Sequence, residues 1–186
     1  MIKQILLTRQ HCEQLAHVNN EDIEFNGFGL LVRTSEDIAV VSELELVLGE
    51  ENSSVGWNLP TFMSLWQKNP EKYSLIMVHT HSRRYGDVIR KFDPYWSVSR
   101  RNSGHKQGTV LENRFYISKH LDSGDNVTMK YGYENGLFET ALLVHPVVGS
   151  EGEVMTPAHV RITAYAYDPA SLGNVKGLDL VMLAET

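Results

Sequence analysis

Two histidines, His79 and His81, close the run Leu75-Ile76-Met77-Val78-His79-Thr80-His81. The run is short and apolar, as a core strand is. Side chains on a strand alternate faces, so the two imidazoles point the same way. Two imidazoles side by side at a strand end are the start of a transition-metal site. A catalytic site of this kind needs about three protein ligands and an open position. It also needs a nearby carboxylate to move a proton. An Asp from a later loop or helix start would complete the ligands, and an acid from another strand would be the base. Glu24 is placed for the second role: it precedes a strand-like run and is followed by Gly27 and Gly29, which allow close backbone approach.

The elements that must position these groups are legible in part. Thr8 followed by His11, Leu15 and Val18 predicts a short amphipathic helix over about 9–19. Residues 24–32 and 38–48 read as strands joined by the turn Thr34-Ser35-Glu36-Asp37, a hairpin. Pro60 opens a helix that buries Phe62, Leu65 and Trp66. Residues 73–78 form the strand that delivers the histidines. Asp122-Ser123-Gly124-Asp125 is a polar turn able to cap a helix, and 126–135 reads either as that helix or as a strand turning at Asn135-Gly136. Residues 138–148 and 160–167 are strands, and a shorter one is expected around 178–183. Helices and strands are mixed, which gives an α+β class.

Composition bounds the function. A chain of 186 residues with 42% hydrophobic and 22% charged residues is one folded domain and not a disordered segment. A single cysteine, Cys12, excludes an intrachain disulfide and fits a reducing compartment. Residues 1–7 are too short an apolar run for a signal peptide, and nothing reaches membrane-spanning length. The expected location is therefore cytoplasmic, with no membrane partner. A net charge of −6 argues against general nucleic-acid binding. The charge is uneven, however: nine Lys/Arg face three Asp/Glu between Ser82 and His120. Residues 82–120 show little periodicity apart from a strand-like patch at 114–118. They read as a long basic loop or insertion in a single domain spanning 1–186, and such loops carry function.

The order Glu24-Phe-Asn-Gly27-Phe-Gly29, a hydrophobic strand ending His79-Thr80-His81, then Asp122-Ser123-Gly124-Asp125 resembles the JAB/MPN metalloprotease family. Its JAMM motif runs Glu, His-x-His, Ser-x-x-Asp, and the Glu-x-x-Gly-x-Gly form is similar to the bacterial and phage branch. The resemblance spans most of the chain except 82–120. It implies an α+β fold of the cytidine-deaminase-like kind, a curved mixed sheet flanked by helices. It also implies one Zn2+ and hydrolysis of a peptide or isopeptide bond, often of a ubiquitin-like conjugate. Carried over by position, Glu24 is the general base, His79, His81 and Asp125 are the zinc ligands, and Ser123 or Ser97 is the hydroxyl that steadies the oxyanion.

The chain departs from the family pattern in four places. Ser82 stands where Pro is usual after the second His. The gap from His81 to Asp125 is long. The Ser expected three residues before the Asp is Asp122. Tyr95-Trp96-Ser97-Val98-Ser99-Arg100 also resembles the family's aromatic-Trp-Ser-x-x-Asp segment, which would put Arg100 at the ligand position. Asp93 and Asp122 are the other candidates for third ligand. Two alternatives follow: a catalytically silent scaffold, or a nucleic-acid-binding module that grips through 82–120. His11-Cys12 is not a nucleophile pair, because adjacent helical residues diverge. His145 and His159 read as ordinary strand-end residues.

Overall fold

The computed structural model describes residues 1–17, 25–48, 67, 73–81, 84–85, 88–89, 95–146 and 157–183. Glu24, Asp93 and the predicted helix after Pro60 lie outside them.

Seven strands close on themselves: β1 (Gln4–Thr8), β2 (Phe25–Arg33), β3 (Ile38–Leu48), β4 (Tyr73–Thr80), β10 (Thr140–Pro146), β11 (Val160–Tyr167) and β12 (Val175–Leu183). Their order round the barrel is β1-β12-β11-β10-β4-β2-β3. The expected α+β fold of the JAB/MPN kind, a curved mixed sheet flanked by helices, is therefore wrong: the sheet closes into a barrel. The cause is β1. It runs parallel to β12 on one side (Leu6↔Val181) and to β3 on the other (Ile5↔Ala39). Both edges of the sheet thus end on one five-residue strand, and closure removes them. In the sequence, residues 4–8 carry only a short apolar run and give no such sign.

The wall is buried on both faces at β4 and β10, which explains the unbroken apolar runs of these central strands. On one face Ile76, Val78, Leu142 and Val144 pack with Ile5, Leu7 and the buried Cys12, Leu15 and Ala16 of helix α1 (Arg9–His17). On the other face Leu75, Met77, Ala141, Leu143 and Tyr165 form a second core. That core is covered by residues the sequence assigned to a loop. β7 (Trp96–Val98), β8 (Val110–Leu111) and β9 (Phe115–Ile117) make a small sheet ordered β7-β9-β8. Trp96, Val98, Phe115 and Ile117 are fully buried, and the Trp96 indole N–H donates to Gly173 O at 3.1 Å. A two-stranded ribbon, β5 (Arg84–Tyr85) with β6 (Val88–Ile89), precedes it. The single turn α2 (Arg100–Ser103) follows β7.

Helix α3 (Asp125–Glu134) completes the second layer. The stretch that read as helix or strand is helical. Its buried stripe is Asp125, Asn126, Met129 and Gly132, the i, i+4, i+7 face of a helix with one extra position. At Gly132 a Cβ would lie 2.1 Å from Phe138 Cζ, so only glycine lets the helix sit this close.

Candidate metal centre

His79 and His81 extend the odd-numbered face of β4 that buries Leu75 and Met77 in the second core. Both histidines therefore emerge in the seam between the barrel wall and its covering layer. β10 fixes their height: it pairs in parallel with β4 (Leu143↔His79), and His81 N–H donates to Val144 O at 2.9 Å. Met129 anchors α3 in that same core, and Asp125, one turn earlier on the same face, is carried to the end of β4.

The three side chains meet. His79 Nε2 lies 3.4 Å from Asp125 Oδ1, and His81 Nε2 lies 3.4 Å from Asp125 Oδ2. The two imidazoles are 4.7 Å apart, edge to face. One ligand atom from each residue falls within a 4.8 Å set. His79 is the most open of the three, with 15% of its side chain exposed.

The two 3.4 Å separations, one to each carboxylate oxygen, are compatible with a bridging cation, while the three-atom set as a whole spans up to 4.8 Å. Charge-assisted N–H···O bonds settle at about 2.7–2.9 Å, so 3.4 Å is long for a direct pair. Two atoms each about 2.0–2.2 Å from a common ion, at a tetrahedral angle, are about 3.3–3.5 Å apart. The donor set of two imidazoles and one carboxylate suits a borderline first-row ion. These residues are close enough to bind a metal ion.

Asp125 is held from behind. Ser97 N–H donates to Asp125 Oδ2 at 2.7 Å, and Asp125 N–H donates to Ser97 Oγ at 2.8 Å. With Oδ2 engaged by the backbone, Oδ1 is the freer oxygen. Burial works against ionising this carboxyl. The charge of His81 and its contact with the carboxylate, the charge of His79 and the Ser97 N–H outweigh it, holding the group well below the usual carboxylate range.

Ser123 is exposed two residues before Asp125. The hydroxyl that meets the ligand is that of Ser97, and it serves as an acceptor for the helix start. Asp122 is also exposed and is engaged by Arg101 through a two-point contact, with Nη2 to Oδ2 at 3.2 Å. Arg100 is exposed at the start of α2, where its backbone N–H donates to His120 O. Of the candidate aspartates among the described residues, Asp125 is the one beside the histidines, and Asp93 lies outside them. His145, read from the sequence as an ordinary strand-end residue, stands near the end of β10 after Val144 and is 4% exposed.

Among the described residues, no helix is long and apolar enough to cross a membrane. No family model matches the chain, and no curated protein matches it. Among solved structures it is similar to a protein of Desulfitobacterium hafniense determined in solution, with 12% identity, a TM-score of 0.49, and coverage of 97% of this chain and 94% of that one.

Proposed function

We propose that the chain is a zinc-dependent peptidase or isopeptidase, with a protein or peptide substrate that includes ubiquitin-like conjugates. The observation that carries this reading is the convergence of His79, His81 and Asp125 from two elements 44 residues apart onto one 4.8 Å set. The likeness to the JAMM motif lies in the donor set and its order along the chain, not in the surrounding fold.

His79, His81 and Asp125 would hold the ion, with Asp125 Oδ2 kept back by Ser97. A zinc ion there would supply Lewis-acid chemistry, making water acidic near neutral pH and polarising a carbonyl. Glu24 is the residue before Phe25, where β2 begins, and Asn26 of β2 is registered with His79. In this reading its carboxylate takes a proton from water and returns it to the leaving amine. The partial exposure of His79 leaves the cluster reachable from one side.

The test is hydrolysis of isopeptide-linked and linear peptide substrates by the zinc-loaded protein and by Glu24→Gln. The reading expects Glu24→Gln to keep the metal and lose activity. Full activity in that variant sinks the assignment of the base.

A further inference from the structure

The start of α3 is fastened to β7 by more than the Ser97–Asp125 exchange. Asn126 is fully buried, and its Oδ1 accepts the Ser99 N–H at 2.8 Å. Its Nδ2 donates to Asn174 Oδ1 at 3.4 Å, in the turn before β12. On one side β7 pairs with β9; on the other it has no strand partner among the described residues. Two side chains take that place: Asp125 receives the N–H of Ser97 and Asn126 receives that of Ser99. Gly124 makes room for the contact, since a Cβ there would lie 3.0 Å from Ser99 N and 3.1 Å from Ser97 O.

We propose that Asn126 is a positioning residue of the metal centre. It sets the distance between α3 and β7, and thereby how far Asp125 Oδ1 reaches toward His79 and His81. Asp125 cannot do this alone, because a carboxylate that both binds an ion and carries the docking of its helix would trade one against the other. Asn126 takes the docking load on a neutral side chain one residue away. It has no sequence signature, because its two partners lie 27 and 48 residues distant. This inference rests on the metal reading above and deepens it.

The experiment measures zinc affinity by competition with a chelator and records the visible spectrum of the cobalt-loaded full chain. It compares wild type, Asn126→Ala, Asn126→Asp and Met129→Ala. Asn126→Ala is expected to weaken zinc about 10–100-fold, the usual effect of losing an outer-shell partner, and to change the cobalt spectrum. Asn126→Asp keeps the acceptor for Ser99 N–H and is expected to restore both to near wild type. Met129→Ala loosens the same helix in the core without touching the clip, and its folded fraction is expected to lose much less zinc affinity than Asn126→Ala. The inference is overturned if Asn126→Ala binds zinc with wild-type affinity and spectrum, or if Met129→Ala weakens it equally. A wild-type chain that binds no metal overturns the metal reading itself, and the role of Asn126 with it.

Discussion

Ser97 and Asp125, 28 residues apart, exchange two hydrogen bonds: Ser97 N–H to Asp125 Oδ2 at 2.7 Å, and Asp125 N–H to Ser97 Oγ at 2.8 Å. The first aims a carboxylate and the second satisfies one of the free N–H groups at the start of α3. A carboxylate held in this way has its orientation set by the fold, as an outer-shell partner does for a side chain at a metal site.

The closeness of α3 to β7 depends on Gly124. Gly124→Ala places a Cβ against backbone atoms of Ser97 and Ser99, which cannot swing aside as a side-chain tip can. We expect a loss of about 1–3 kcal/mol of stability by denaturant unfolding, the range for overpacking, together with weaker metal binding. Unchanged values for both would show that the contact can relax.

The small sheet is part of the core and not an appended loop. Trp96 is fully buried, packs against Tyr165 with ring centroids 4.7 Å apart at a 49° tilt, and donates its indole N–H to Gly173 O. Trp96→Ala should cost about 3–5 kcal/mol, as large aromatic truncations do, in a single cooperative transition. A near-neutral result would mean that residues 95–120 unfold independently of the barrel.

Tyr165 gives a pH prediction at the alkaline end. Burial and then the negative Asp125 push its phenol up to about 12. An unfolded tyrosine ionises near 10. The folded state therefore binds this proton more tightly than the unfolded state. Its contribution is complete below about pH 10 and is lost between about 10 and 12, amounting to about 2–3 kcal/mol. Stability measured from pH 9 to 12 should fall more steeply in wild type than in Tyr165→Phe, and parallel curves would contradict this.

Asp125 gives the acid counterpart. Its folded value is depressed, so its contribution to the metal-free protein is present above the unfolded value of about 3.9 and lost as pH falls below it. Asp125→Asn should flatten the acid limb of the stability curve below about pH 4. An acid limb as steep as that of wild type would mean that the carboxylate is not held by its neighbours.

What the sequence showed and what it hid follow from range. β3 and β11 match their expected bounds, and β2 and β4 lie close to theirs, because eight or more residues of apolar pattern mark a strand. His79 and His81 were legible as a pair because two-residue spacing on a strand is local. β1 escaped notice because five residues carry little pattern, and with it went barrel closure, which depends on pairings to residues 38–40 and 179–183. β9 falls within the strand-like patch expected at 114–118, whereas β7 and β8 have three and two residues, too few for any period, inside a segment whose charge suggested solvent. α3 was ambiguous because its buried stripe holds an aspartate, an asparagine and a glycine, and only one apolar side chain. Ser97 was named as a hydroxyl near the site, but its bond to Asp125 is a tertiary fact.

The most direct measurement is the metal content of the purified chain beside its Asp125→Ala and Asp122→Ala variants. The account predicts one tightly held ion per chain in wild type and in Asp122→Ala, whose carboxylate sits in solvent with Arg101, and loss of the ion in Asp125→Ala. A stoichiometric ion retained by Asp125→Ala, or none in wild type, would contradict it.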